Sequence, residues 1–191
     1  MKTVKRSLGT IALATTMIVT VSCKDGKKVE EAAPVETEMN DNQVISMNTS
    51  KDAKAEAILS DYFNLKDALV ADDNEKGKEL GLTLTKSLQA LDASRYTDSE
   101  SKELEDIIED AVEHAEHISE SPMEHQREHF KILSKDVTDM VAITGTANTL
   151  YEQFCPMYDG GSAWLSRNEE ILNPYYGSKM LNCGKVQKEI N

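Results

Sequence analysis

Positive charge is in short supply in this 191-residue chain: 21 Lys and Arg stand against 34 Asp and Glu, for a net charge of -13. A nucleic-acid binder has to neutralise phosphates with clustered cations, so that class of partner is excluded. An acidic surface mainly confers solubility and gives a weak attraction for cationic partners. Long hydrophobic runs are missing too. The longest, Leu8 to Val21, has the length of a signal-peptide core and is short for a membrane span. Cysteine is sparse, with three residues. Also absent is any motif that fixes a Cys, a His and an orienting carboxylate together, or any loop resembling an oxyanion hole, so the chain is expected not to be an enzyme. With 34 acids, the spacing of paired carboxylates carries no information.

What is present begins with an address. Lys2, Lys5 and Arg6 precede the apolar run, and Thr20-Val21-Ser22-Cys23 closes it. Residues 1–23 resemble a bacterial lipoprotein signal in which Cys23 becomes the lipidated first residue, which implies a lipid-anchored cell-envelope protein, periplasmic or at the cell surface. Loss of that segment makes the remaining chain three charges more negative. Residues 24–50 show no apolar periodicity and are rich in Glu, Asn, Lys and Thr. They read as a flexible acidic tether with a reach of roughly 30 Å.

From residue 51 the apolar residues recur at helical spacing. Ile58, Tyr62, Leu65 and Leu69 form one stripe, and Leu80 or Gly81 with Leu84, Leu88 and Leu91 a second. Leu104, Ile107, Ile108, Ala111, Ala115 and Ile118 form a third, and Phe130, Leu133, Val137 and Val141 a fourth. Short connections at Asp72-Asp73-Asn74 and at residues 94–99 separate them. Ser121-Pro122-Met123-Glu124 reads as a capping box opening the fourth helix. The expected fold is mainly α: an antiparallel four-helix bundle, as one domain over 51–191, with a short irregular or β cap over about 146–191. Thr149 to Cys155 and the final KVQKEI read as short strands between turn signals.

The last 45 residues hold the only Trp, four of the six Tyr and both cysteines beyond the leader. Cys155 and Cys183 in an oxidising compartment can form a disulfide closing a loop of about 27 residues, worth about 3 to 4 kcal/mol. They can also be soft-metal ligands: Cys155 stands two residues from Met157, and Met180 three from Cys183, and thiolate with thioether favours Cu(I). Unpaired packing is the third alternative, and the residues alone leave all three open. Trp164, Tyr175 and Tyr176 are candidates for the core of the cap or for a docking surface.

All four histidines fall within sixteen residues. His114 and His117 lie three apart, and His125 and His129 four apart, spacings that place imidazoles on one helix face as metal ligands require. The hairpin between the third and fourth helices can gather them at one end, beside Glu113, Glu116, Glu124 and Met123, with Arg127 opposing a cation. Copper is the first expected ion, zinc or nickel the second; pH-sensitive surface histidines are the alternative.

LYEQFCPMY, WLS and ILNPYYGSKMLNCG resemble the C-terminal signature of a small bacterial domain family found as free-standing lipoproteins and as C-terminal extensions of heavy-metal efflux adaptor proteins of the copper and silver type. YFNLKDALVADD and HQREHFKILS resemble its helical half, so the resemblance spans roughly residues 55–186. It implies copper or related soft-metal handling, with heavy-metal efflux components and the membrane as partners. The alternative is a module without metal, stapled by a Cys155–Cys183 disulfide, that docks to an envelope protein.

Overall fold

The computed structural model describes residues 52–191. The leader, its candidate lipidation residue Cys23 and the tether over 24–50 lie outside the described residues. Four helices come first: α1 (Ala53–Val70), α2 (Asn74–Gln89), α3 (Asp98–Glu120) and α4 (Met123–Thr144). Three strands follow, β1 (Leu150–Cys155), β2 (Ser162–Ser166) and β3 (Lys185–Ile190). The protein is mainly helical with a small antiparallel sheet.

Each helix starts where its first N–H groups find an acceptor. Asp52 caps α1 through the Lys54 N–H, and Asp73 caps α2 through that of Lys76. At α3, Thr97 and Glu100 form a reciprocal capping box. The box expected at Ser121 is absent: Pro122 occupies the cap position of α4 without a side-chain bond, and Ser121 is the buried C-cap of α3. The boundary stands where Ser-Pro implies it, but the buried Gln126 amide donates to the Ser121 carbonyl instead.

The four stripes converge on one core in which Ile58, Tyr62, Leu84, Leu104, Ile118 and Phe130 are fully buried, each burial contributing roughly 1.5–3 kcal/mol. Successive helices pack on one another, and α1 also meets α4. Gly81 sets the approach of α2 to α3: a Cβ there would stand 2.8 Å from the Ala115 carbonyl oxygen. Glycine is required by the closeness of the two backbones.

The cap is more regular than expected. Its sheet has the order β2-β1-β3, antiparallel throughout, with both expected strands present and β2 added by Ser162–Ser166. A bulge at Glu152/Gln153 changes the alternation of β1, so that Leu150 points inward before it and Gln153 and Cys155 after it. β2 lies against α4. Tyr62 joins the layers: its hydroxyl is 2.9 Å from Ser134 Oγ and accepts the Leu165 N–H at 3.1 Å.

Arg127 provides the second joint. It is buried, donating from Nε to the Pro174 carbonyl at 2.8 Å and from one terminal nitrogen to the Leu69 carbonyl at 2.7 Å and to Asp72 at 2.6 Å. Asp72, at φ 57° in the turn between α1 and α2, also accepts the Ser178 hydroxyl and N–H. Those Ser178 bonds, with Arg127, hold its carboxyl down at about 2. Arg127 therefore ties cap to helices; it is committed to these partners in the interior.

Candidate metal site and thiol pair

The helical hairpin brings the four histidines together around His129. His129 Nδ1 lies 2.9 Å from His114 Nδ1, and its Nε2 lies 3.1 Å from His125 Nε2. The His117 ring stacks on His129 with centroids 4.5 Å apart and planes 2° from parallel. A neutral imidazole carries one N–H and one lone pair, so His129 donates on one side and accepts on the other. Glu128 approaches His125 at 2.7 Å and Glu113 approaches His117 at 3.8 Å.

Burial, reinforced by the charges of His117, His125 and His114, pushes His129 down to about 4. His114 is lowered as well, chiefly by burial. At neutral pH His129 thus offers an unprotonated ring, the form a metal binds. Glu113 is the expected acid that takes part. Met123 instead packs against the core, and Glu128, four residues beyond Glu124 on the next turn, supplies the contact to His125. Sequence spacing offered a signal for Glu128, since it stands three residues from His125. Among the described residues no group of three or more His, Cys, Asp or Glu already has the arrangement of a metal site.

In the cap, Cys155 and Cys183 face each other with sulfurs 3.0 Å apart, both as free thiols. Cys155 sits at the end of β1, fully buried, and Cys183 follows the turn closed by its N–H on the Met180 carbonyl. Burial pushes the Cys155 thiol up, but hydrogen bonds from Cys183, the backbone N–H groups of Met157 and Tyr158, and the Asn173 side chain bring it below the ordinary thiol value. The same bond to Cys155 raises Cys183. Asn173 is itself fixed, donating to the Cys183 carbonyl at 2.7 Å and accepting the Tyr175 N–H at 2.8 Å.

Met157 and Met180 are exposed, at 62% and 39% of their surface. Trp164 and Tyr175 are buried in the core and present no docking face. Tyr176 is half-buried, its hydroxyl donating to the Met157 carbonyl.

These features define a class: a small helical domain with a three-stranded cap, a histidine cluster on its helical hairpin and a dithiol in the cap. A family model described as "Protein of unknown function (DUF3347)" matches residues 58–149, and the chain is similar to that family over its helical half. The match includes all four histidines and ends one residue before β1, so the two cysteines lie beyond it. No curated protein and no solved structure matches the chain.

Proposed function

We propose that this is an extracytoplasmic, lipid-anchored protein that binds copper or a similar soft or borderline ion, holding it for sequestration or for delivery to an efflux or resistance system. The ligands come from His114, His117, His125 and His129. The observation that supports this reading is that both ring nitrogens of His129 meet a nitrogen of another imidazole, at 2.9 and 3.1 Å. Two imidazoles on one tetrahedral ion, each bound at about 2.0–2.1 Å, hold their nitrogens about 3.3 Å apart. Replacing a shared proton by a metal therefore asks for an opening of a few tenths of an ångström. The two nitrogens of His129 point to opposite sides, so a single ion takes His129 with either His114 or His125, and His117 must turn from its stack to become a third ligand.

The cysteine pair supports a metal less well. Thiolates sharing a tetrahedral ion at about 2.3 Å stand about 3.7 Å apart, farther than the 3.0 Å between these sulfurs. Anchoring rests on the leader and Cys23, and the efflux association on the resemblance of the cap signature. The successive packing of the helices, closed by α1 on α4, supports an antiparallel bundle as the scaffold.

Metal uptake tests the proposal directly. Titrated with Cu(I) under reducing conditions against a competing chelator, wild type is expected to bind saturably, and His129→Ala to bind roughly ten- to a hundredfold more weakly. A Cys155→Ser, Cys183→Ser double variant is expected to match wild type. Uptake no greater in wild type than in His129→Ala sinks the proposal. The sulfur approach favours one second reading, a disulfide-stapled module that docks to an envelope partner. That reading expects no saturable metal and partner binding that is lost on reduction.

A further inference from the structure

We infer that Cys155 and Cys183 are a thiol–disulfide exchange site, entered at Cys183, whose oxidising co-substrate is a low-molecular-weight or protein disulfide. Two observations carry this. The sulfurs already touch at 3.0 Å. Cys155 has no exposed surface, while Cys183 is partly exposed, so an incoming sulfur can reach only the second. The surroundings of Cys155 also hold its thiol below the ordinary value, which suits it to leave as a thiolate.

The exchange balances as follows. A thiolate at Cys183 attacks one sulfur of the incoming disulfide, forming a mixed disulfide and releasing one thiolate, which takes up the Cys183 proton. Cys155, in contact behind Cys183, then attacks the Cys183 sulfur and expels the second thiolate toward solvent, where it takes the Cys155 proton. Two protein thiols are oxidised by two electrons, and one small disulfide becomes two thiols. In the reverse direction a reducing thiolate attacks Cys183, the reachable sulfur of the pair, and Cys155 leaves as a thiolate. Leaving-group stability governs that step. A bond whose outer sulfur, Cys183, stays within reach of a reducing thiolate is exchangeable, which distinguishes it from a permanent staple.

The test uses the full chain with Cys23→Ser, so that only this pair reports. Native protein is incubated with oxidised and then with excess reduced glutathione, and alkylation with mass measurement counts thiols at each stage. The disulfide is expected to form and to reopen without denaturant. Cys155→Ser is expected to carry one glutathione on Cys183, and Cys183→Ser to react about tenfold more slowly or not at all until unfolded. A bond that survives excess reduced glutathione until the protein is denatured overturns the inference. So does glutathione added to Cys155 in Cys183→Ser as fast as to Cys183 in Cys155→Ser. If either variant fails to fold, judged by the near-ultraviolet signal of Trp164, the reopening of the parent chain still decides.

Discussion

Asp136 occupies a costly position. It is buried on α4, and its Oδ2 has no hydrogen-bond partner. Burial raises its carboxyl to about 6; Lys135 works against that, and Asp110 and Asp139 add to it. The native protein holds this proton more tightly than the unfolded chain, which releases it near 3.8. The associated stability is full below the lower value and is lost as pH rises through about 6. His129 acts in the opposite sense. Its native value of about 4 lies below the ordinary 6.5, so stability is lost as pH falls from 6.5 toward 4. Asp136→Asn is expected to gain roughly 1–2 kcal/mol at pH 7.5, allowing for an amide that also wants a partner, and almost nothing at pH 4. Thermal melts at the two pH values check this. The histidine cluster was legible from the sequence because i,i+3 and i,i+4 spacing on two helices joined by a hairpin brings the rings together. Asp136 was not, because helical periodicity places it only on the flank of an apolar stripe, where an acid reads as solvated.

At the scale of elements, α2 and α3 depend on the missing side chain of Gly81. Helix propensity alone makes Gly81→Ala stabilising by up to about 1 kcal/mol. The contact with the Ala115 carbonyl, with Ser119 N at 3.0 Å, reverses the sign. The substitution is expected to cost about 1–3 kcal/mol by overpacking, read as a lower urea midpoint with an unchanged slope. All four helices and two strands followed from apolar period and turn residues. The third strand did not: SAWLS is five residues long and its partner is across a turn, so its identity depends on pairing with β1. The capping box was placed at the wrong boundary because Ser-Pro-Met-Glu and Thr-Asp-Ser-Glu satisfy the same spacing. Only at Thr97 do both reciprocal bonds form.

Across the whole molecule, one guanidinium joins the helical half to the cap. Arg127→Met keeps most of the stem packing but leaves the Asp72 carboxylate to Ser178 alone and takes a donor from the Leu69 and Pro174 carbonyls. A loss of about 3 kcal/mol is expected, seen as a fall in urea stability with the near-ultraviolet signal of Trp164 lost before the helical signal. Sequence reasoning set Arg127 beside the histidines, where its number in the helix allows it; a buried arginine is visible only through partners 55 and 58 residues earlier and 47 later. That separation has a kinetic side. Helices pack on their neighbours in sequence, so they can condense in the order of synthesis. The sheet cannot, because its central strand waits for β3, whose pairing residue Ile190 is forty positions beyond Leu150. Until the cap closes, Arg127 lacks its Pro174 acceptor and Cys155 lacks its cover, so the newly made chain is expected to pass through a window in which oxidants and proteases reach a thiol that the mature fold conceals.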